Sequence, residues 1–419
     1  MPVFLIGTLD TKGQEVGFVR DLLRDYGVDS QTVDAGCLGQ PTIAADISRE
    51  EVFAAAGASV AELQQAADRG RAVTAAARGT AEIITEAHQQ GQVDGVLGLG
   101  GSAGTTIATQ AMRRLPLGVP KLMVSTLASG QTRPYVGDKD ILMLNPVVDI
   151  SGINRISRAV LVQAARAMAG MVSFRQSTAG DGADATSDDK PLIAATMFGV
   201  TTPCVEHARK ILEQAGYEVL VFHATGTGRQ AMESLIDDGL IAGVLDITTT
   251  ELADELVGGL LSAGPERLTA AARRGIPQVI SVGATDMVNF GPPETVPDRF
   301  SDRTFYHHNP TVTLMRTTVD ENRRIGEEIG RKAAAAVGPT TIVLPRRGVS
   351  AIDAEGQPFD NPAAREALFH SIRESAGSIP VIERDEHLNH NSFAETAATQ
   401  LLQLMTAAEK RLPAANRGG

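Results

Sequence analysis

The sequence predicts an α/β protein in which parallel sheets are flanked by helices. Three observations carry this. Short apolar runs alternate with amphipathic stretches of about 12–15 residues, the sign of strand–helix–strand units. The 419 residues include no Trp and only 4% aromatics, so the cores must be built from Ala, Val, Leu and Ile, which suit close-packed helix and sheet layers. The alternation also stops once, at residues 176–190 (QSTAGDGADATSDDK), where small polar residues and Asp replace all apolar periodicity, and then restarts. A chain this long exceeds one ordinary core of roughly 100–150 residues. The expected domains are residues 1–176 and 191–419, joined by a linker at 177–190.

In the first half a strand is expected at 3–7, a helix at 13–26 and a strand at 28–34. Residues 48–90 read as largely helical, opened by Ser48 and Glu51 in capping-box spacing. A strand at 93–99 runs into a Gly-rich turn and a helix near 103–114. A strand at 119–125, a long polar loop, a strand around 141–148 and a helix from about 154 to 172 complete this half. In the second, strands are expected at 192–197, 217–222, 241–247, 278–282, 311–315 and 340–344. Helices are expected at 203–216, 229–238 and 319–337, with another after 250 and two at the end, and 283–310 reads as irregular. Each half ends its second strand in a small-residue turn and carries a Gly-rich strand-to-helix turn. The expectation is therefore two Rossmann-like domains with a ligand cleft between them.

Thirty-eight Lys and Arg against 50 Asp and Glu leave a net charge of −12. A surface this acidic repels phosphate backbones, so no nucleic-acid partner is expected, although a local basic pocket for a small anion remains open. Cys37 and Cys204, far apart in sequence, make neither a disulfide framework nor a zinc set and fit a reducing cytoplasm. The N-terminus lacks a signal peptide's basic start and long apolar stretch, and no run approaches the ~18 apolar residues of a membrane span. A cytoplasmic protein without a membrane partner is expected.

Ligands of parallel sheets sit beyond the carboxyl ends of strands, where helix N-termini offer free N–H groups. The strongest candidate turn is GLGGSAGTT, residues 98–106. Gly100, Gly101 and Gly104 let backbone amides approach an anion, and Ser102, Thr105 and Thr106 add hydroxyls. The turn also fits G-x-G-x-x-A, but the next strand ends in Ser125 and Thr126 where a dinucleotide site wants an acid. The structural alternative is a turn that merely packs helix on sheet. The first turn, GTLDTKG, offers Lys12 to a phosphate and Asp10 to a metal or hydroxyl; it is not a P-loop, and its bland reading is an Asp turn with a solvated Lys. In the polar loop at 129–139, Arg133 can pair an oxyanion and Tyr135 can stack on a base, or the loop serves an interdomain or dimer contact.

In the second half HATGTGRQ, residues 223–230, carries a titratable His223. It also fits G-x-G-x-x-A, and Asp246 lies 20 residues beyond Gly226, so a dinucleotide reading stays open there. Glu251, Asp254 and Glu255 open a helix, where acids are favoured by its dipole. His307, His308, Thr285 and Asp286 can complete a metal or acid/base site, or merely satisfy backbone groups. No nucleophile elbow, H-E-x-x-H or C-x-x-C occurs, so hydrolase and zinc readings find no support.

GTLDTKG, DAG, GLGGSAGT, ASGQTRPYVG, NPVVDISGINRI, FHATGTGRQAME, DITTTELADELVGG, GATDMVNFG, HNPTVTLMRTT and RGVSAID follow one another along nearly the whole chain. In this order they resemble the Tm-1-like / UPF0261 family. The resemblance implies two Rossmann-like domains, ATP binding and dimers, but no established reaction. The plant member carries a further TIM-barrel domain after this region; with the chain ending at Gly419, none is expected here. Position by position it points to Gly7, Thr8, Asp10, Lys12, Gly100, Gly101, Ser102, Gly104, Thr105 and Thr106; Gly36 of the DAG turn and Arg133 join them as nucleotide contacts. The expectation is an ATP-dependent enzyme of small carboxylated metabolites, with Asp10 as a Mg²⁺ ligand and His223, Glu251 or His308 in proton transfer. The alternatives are a nucleotide-gated regulatory protein without turnover and an NAD(P)-binding enzyme. A homodimer is expected, because 48–90 holds more helix than one crossover needs.

Overall fold

Two all-parallel sheets organise the computed structural model, which describes residues 1–66, 68–180 and 190–411. The chain falls into two units, Met1–Asp188 and Asp189–Gly419. The linker expected at 177–190 lies outside the described residues from 181 to 189; 177–180 are the last turn of a helix.

Unit 1 contains strands β1 (Val3–Gly7), β2 (Ser30–Asp34), β3 (Gly95–Gly100), β4 (Lys121–Ser125) and β5 (Leu142–Leu144). Its helices are α1 (Leu9–Asp25), α2 (Arg49–Ala55), α3 (Val60–Ala66), α4 (Arg69–Gln89), α5 (Ser102–Met112), α6 (Arg133–Val136) and α7 (Arg155–Gly180). The sheet order is β2-β1-β3-β4-β5, every pair parallel. Strand side chains alternate between faces, and β1 shows what each face meets. Phe4 and Ile6 join one apolar cluster with Ile84 of α4 and Ile107 of α5, whereas Val3 and Leu5 join another with Val16 of α1 and Leu161 of α7. Both faces are covered, which is why these strands read as nearly continuous apolar runs. The span expected to be helical at 48–90 resolves into α2, α3 and α4, and Ser48 and Glu51 form the capping box.

Unit 2 continues with β6 (Leu192–Met197), β7 (Glu218–His223), β8 (Ile241–Thr248), β9 (Gln278–Gly283), β10 (Met287–Phe290), β11 (Phe305–Asn309), β12 (Val312–Arg316), β13 (Thr340–Pro345) and β14 (Val381–Arg384). Its α-helices are α8 (Thr202–Gln214), α9 (Gly226–Asp237), α10 (Glu251–Val257), α11 (Ala270–Arg274), α12 (Val319–Ala334), α13 (Pro362–Ser375) and α14 (Asn391–Arg411). The main sheet runs β14-β13-β9-β8-β6-β7, again all parallel. Counting only the strands of this sheet and reading from β7, the first five repeat the 2-1-3-4-5 order of unit 1. The stretch 283–310, expected to be irregular, instead supplies β10 and β11, which flank β12 in a three-stranded antiparallel sheet. β11 and β12 meet at a tight turn in which the side chain of Asn309 accepts from the N–H of Thr311 at 2.9 Å. β10 and β11 are only four and five residues long, and β10 pairs with β12 across more than 20 residues, which leaves little local periodicity to read.

α4 crosses α2 at Gly79, where a Cβ would lie 1.8 Å from the carbonyl oxygen of Val52. Replacing a helix-interior Gly by Ala ordinarily gains about 0.5–1 kcal/mol. Here the added methyl must push two packed helices apart, so Gly79→Ala is expected to destabilise unit 1 by about 1–3 kcal/mol. A melting temperature at or above that of the parent chain would contradict this packing.

Candidate functional site

Unit 1 reverses its winding between β1 and β3: the chain passes from β1 to β2 on one side and places β3 on the other. Beyond the carboxyl ends of these strands lies a cavity of about 320 Å³. Three segments converge on it. The N-cap and first turn of α1, which starts at Leu9 rather than at the expected 13, bring Thr8, Asp10 and Lys12. The segment after β2 brings Ala35, Cys37 and Leu38, and the end of β3 with the first turn of α5 brings Gly100, Gly101, Ser102 and Gly104. Gly101 is the N-cap of α5 and has no side chain to accept from the first-turn amides. An eleven-residue helix therefore opens at the cavity without a side-chain cap, carrying the partial positive charge of its dipole.

The loop walls are held by two aspartates. Asp34 at the end of β2 is buried; its Oδ1 accepts from the N–H groups of Leu9 at 3.0 Å and Gly36 at 2.9 Å. Its Oδ2 pairs with the Arg49 guanidinium at 2.7 and 2.8 Å. Asp10 Oδ2 accepts from the N–H groups of Leu38 and Gly39 at 2.8 and 3.0 Å, while its enclosed Oδ1 has no hydrogen-bond partner. Lys12 donates to the carbonyl of Ile150, next to Asp149 of the cavity lining.

Not every residue singled out from sequence faces this space. Gly7 sits where a Cβ would meet Val16, and Gly36 where one would meet the Asp10 carboxylate, so both are sites of close packing. The Thr105 hydroxyl is turned inward to the Gly101 carbonyl and Ser125 Oγ, at 2.7 and 2.6 Å. Thr106 donates to the Ser102 carbonyl. Arg133 is exposed on α6 and outside the lining; the arginine present there is Arg69, from the first turn of α4. Arg69 and Cys37 escaped the sequence reading, although Cys37 directly follows the DAG turn.

In unit 2, His223 ends β7 and His308 lies on β11, and both line a second cavity of about 410 Å³. Glu251 does not line it. It is fully buried at the start of α10, with Oε1 3.2 Å from Nε of Arg267. Arg267, itself fully buried, holds both oxygens of Asp246 at 2.5 Å. Asp246 also accepts from Thr196 at 2.7 Å, so the acid that a dinucleotide reading needs for a ribose is consumed inside the fold. The HATGTG turn is likewise closed by its own chain. Thr225 caps α9, Gly226 packs on the Ser262 carbonyl, and Gly228 packs on that of His223. His307 is exposed on β11, and Asp286 is fully buried with Ser350 donating to it at 2.8 Å. Among the described residues no three His, Cys, Asp or Glu side chains cluster to hold a metal ion, and no helix is long and apolar enough to cross a membrane.

The N-terminal domain model of the uncharacterised protein family UPF0261 matches residues 1–177, and its C-terminal domain model matches 190–405. The chain belongs to the UPF0261 family. A UPF0261 protein of Clostridium tetani is 48% identical over 96% of this chain and 98% of its own length. The ToMV resistance protein Tm-1 of Solanum lycopersicum is 39% identical over 96% of this chain, which spans 55% of the tomato protein. Among solved structures, a Streptomyces glycosyltransferase complexed with thymidine diphosphate aligns over 98% of this chain and 99% of its own. Its identity is 12% and its TM-score 0.18, which carries no argument about fold or activity.

Several acids of this UPF0261 chain are buried in unit 2. Burial drives the carboxyl of Asp254 up to about 7, against the hydrogen bonds it accepts from Asn289. Burial, joined by the like charge of Asp353, drives Asp286 up to about 7 as well. Glu251 is raised by the same cause. The folded chain thus keeps protons up to about pH 7 that the unfolded chain gives up near its ordinary 3.8. Folding takes up these protons, so their contribution is complete below pH 3.8 and is lost as pH rises towards 7. Each group contributes at most about 1.4 kcal/mol per pH unit. Urea unfolding from about pH 5 to about pH 7 is expected to show falling stability, with a shallower slope in Asp254→Asn; identical slopes would contradict the assignment.

Proposed function

We propose that unit 1 binds ATP and that the chain uses the nucleotide on a small carboxylated metabolite. One observation carries the nucleotide reading: the uncapped N-terminus of α5 meets Lys12 and Arg69 in one cavity at the winding reversal of the sheet. Such a terminus supplies N–H donors and a favourable dipole to phosphate oxygens. The phosphates rest on the amides of 102–104, with Lys12 and Arg69 as counter-charges. Ala35, Leu38, Ala72, Val73 and Ile107 give the cavity an apolar side suited to a base. Mg²⁺ enters with the phosphates, which supply most of its ligands; Asp10, in the cavity lining, is the carboxylate offered to it.

The placement of Glu251 favours a second reading. Of the three side chains expected to move protons, Glu251 is locked against Arg267, leaving His223 and His308. A nucleotide-gated regulatory protein needs neither. ADP release by the purified chain with Mg-ATP and candidate acids supports the enzyme; tight ATP binding without ADP release supports the regulator. The proposed assembly is a homodimer, in line with three helices occupying the β2–β3 crossover where one suffices. A monomer mass by light scattering at micromolar concentration would remove it.

Gly101→Asp tests the phosphate site. The residue has φ −80° and ψ −153°, and the nearest atom to an added Cβ is Thr126 Oγ1 at 3.6 Å, so Asp fits there without strain. Asp is also a preferred N-cap, and the melting temperature should hold or rise. Its carboxylate takes the place of the anion, and at an effective dielectric near 20 a like-charge pair at about 4 Å costs about 4 kcal/mol. ATP affinity should therefore fall by roughly three decades in calorimetry with Mg-ATP. Unchanged affinity in the folded variant would remove the nucleotide from this turn.

A further inference from the structure

In unit 1, residues 145–154 join β5 to α7, and Asp149 of this segment lines the cavity. The segment turns back at Val147, with φ +69°, and at Gly152, with φ +76°. Val147 is exposed and β-branched, and such a residue keeps a left-handed backbone only where surrounding contacts impose it. Those contacts come from α1. Ile150, 2% exposed, packs in one apolar cluster with Leu9 and Val16. Lys12 Nζ donates to the Ile150 carbonyl, and Glu15 Oε1 accepts from the Gly152 N–H at 2.6 Å. Side chains three apart on a helix are neighbours on its surface, so Lys12 and Glu15 grip the segment side by side with opposite polarity. Lys12 lines the cavity, whereas Glu15, 2% exposed, lies outside the lining and cannot meet a ligand there. A carboxylate buried that deeply is costly, and its bond to Gly152 is the contact that uses it.

We propose that Glu15 is a positioning residue of the unit 1 site. By holding Gly152 it fixes the Ile150 carbonyl, and that carbonyl keeps the Lys12 ammonium at the phosphate side of the cavity. A lysine head on its flexible stem is otherwise free to wander. The ammonium has three N–H donors, so the Ile150 carbonyl takes one and leaves two for a phosphate. The ligand then meets a charge already in place and is spared the cost of ordering it. The inference rests on the nucleotide reading for what Lys12 meets, while the latch of Glu15, Gly152, Ile150 and Lys12 stands without a ligand.

Amide hydrogen exchange on the full chain without nucleotide reads the latch. Lys12→Met keeps the apolar stem and removes the ammonium, and it should speed exchange of the Gly152 amide by about tenfold or more. Unchanged exchange overturns the proposal. Calorimetry with Mg-ATP reads the consequence. Glu15→Ala should lower ATP affinity about tenfold in the parent chain and leave it unchanged in the Lys12→Met chain, where there is no ammonium left to position. Glu15→Gln, whose carbonyl still accepts from Gly152, should restore the affinity. A merely structural Glu15 would instead lower the melting temperature and leave the affinity of the folded protein alone. Should Glu15→Ala fail to fold, Gly152→Ala takes its place: the added Cβ meets nothing within 4 Å, but the positive φ strains the segment and shifts it. Unchanged affinity in the folded variant, or equal losses in both backgrounds, overturns the proposal. No heat with Mg-ATP from the parent chain removes the nucleotide reading and this role with it, whereas normal ATP binding with additive losses removes the positioning role alone.

Discussion

The Asp34 carboxylate decides the shape of the unit 1 site. One oxygen ties the first amide of α1 to the turn after β2, and the other draws Arg49 of α2 against the sheet edge. Three pieces of chain thus meet at a single buried group, and Asp10 repeats the device one layer out by gripping the amides of Leu38 and Gly39. A buried carboxylate is tolerable only when its lone pairs are used, and here backbone donors and a guanidinium fork use them. The loops that wall the cavity are therefore built in place by charge-assisted hydrogen bonds. Such pre-organisation spares a ligand the cost of ordering them.

How much of this can be read in sequence follows from the range of each interaction. The strand–helix alternation and the Ser48–Glu51 box are local patterns, and they appear where periodicity and spacing put them. The antiparallel sheet of unit 2 escaped notice because β10 finds β12 only across the intervening β11. Strand-end position, where ligands of parallel sheets collect, singled out Thr8, Asp10, Lys12 and the 100–104 turn, and these do line one cavity. Which hydroxyls face the cavity is a different matter. Thr105 and Thr106 are helical residues whose hydroxyls bond the carbonyls four positions back, a habit that draws them away from the cavity. Arg69 and Arg133 carry the same charge on polar stretches of sequence, and only the path of α4 across the sheet tells them apart. Glu251 was legible as a helix-opening acid, but not its neighbour Arg267, 16 residues away in sequence.

The two units use one winding scheme and close it differently. In both, the first strand lies between the second and third, so the reversal leaves a crevice at the carboxyl edge. In unit 1 the third strand ends at Gly100, Gly101 follows as N-cap, and the helix after it starts bare. In unit 2 the third strand ends in Thr248, followed by Thr249 and Thr250, all fully buried. Thr201 and Thr248 share a hydrogen bond at 2.8 Å, Thr249 donates to the Ser281 carbonyl, and Arg267 binds the carbonyl of Thr248. Side chains thus occupy in unit 2 the place that the glycines leave open in unit 1.

That difference sorts the chemistry between the units. A bare helix terminus flanked by Lys12 and Arg69 suits an anion. A filled third turn cannot take an anion, and the Asp246–Arg267–Glu251 group beside it already spends its charges internally. The open space of unit 2 is displaced to the ends of β6 and β7, where phenylalanine and histidine rings rather than glycine amides form the walls. Duplicating a fold therefore does not duplicate its site. The residues at the third strand end decide where the crevice stays open, and the side chains beside that opening decide which chemistry it can recognise.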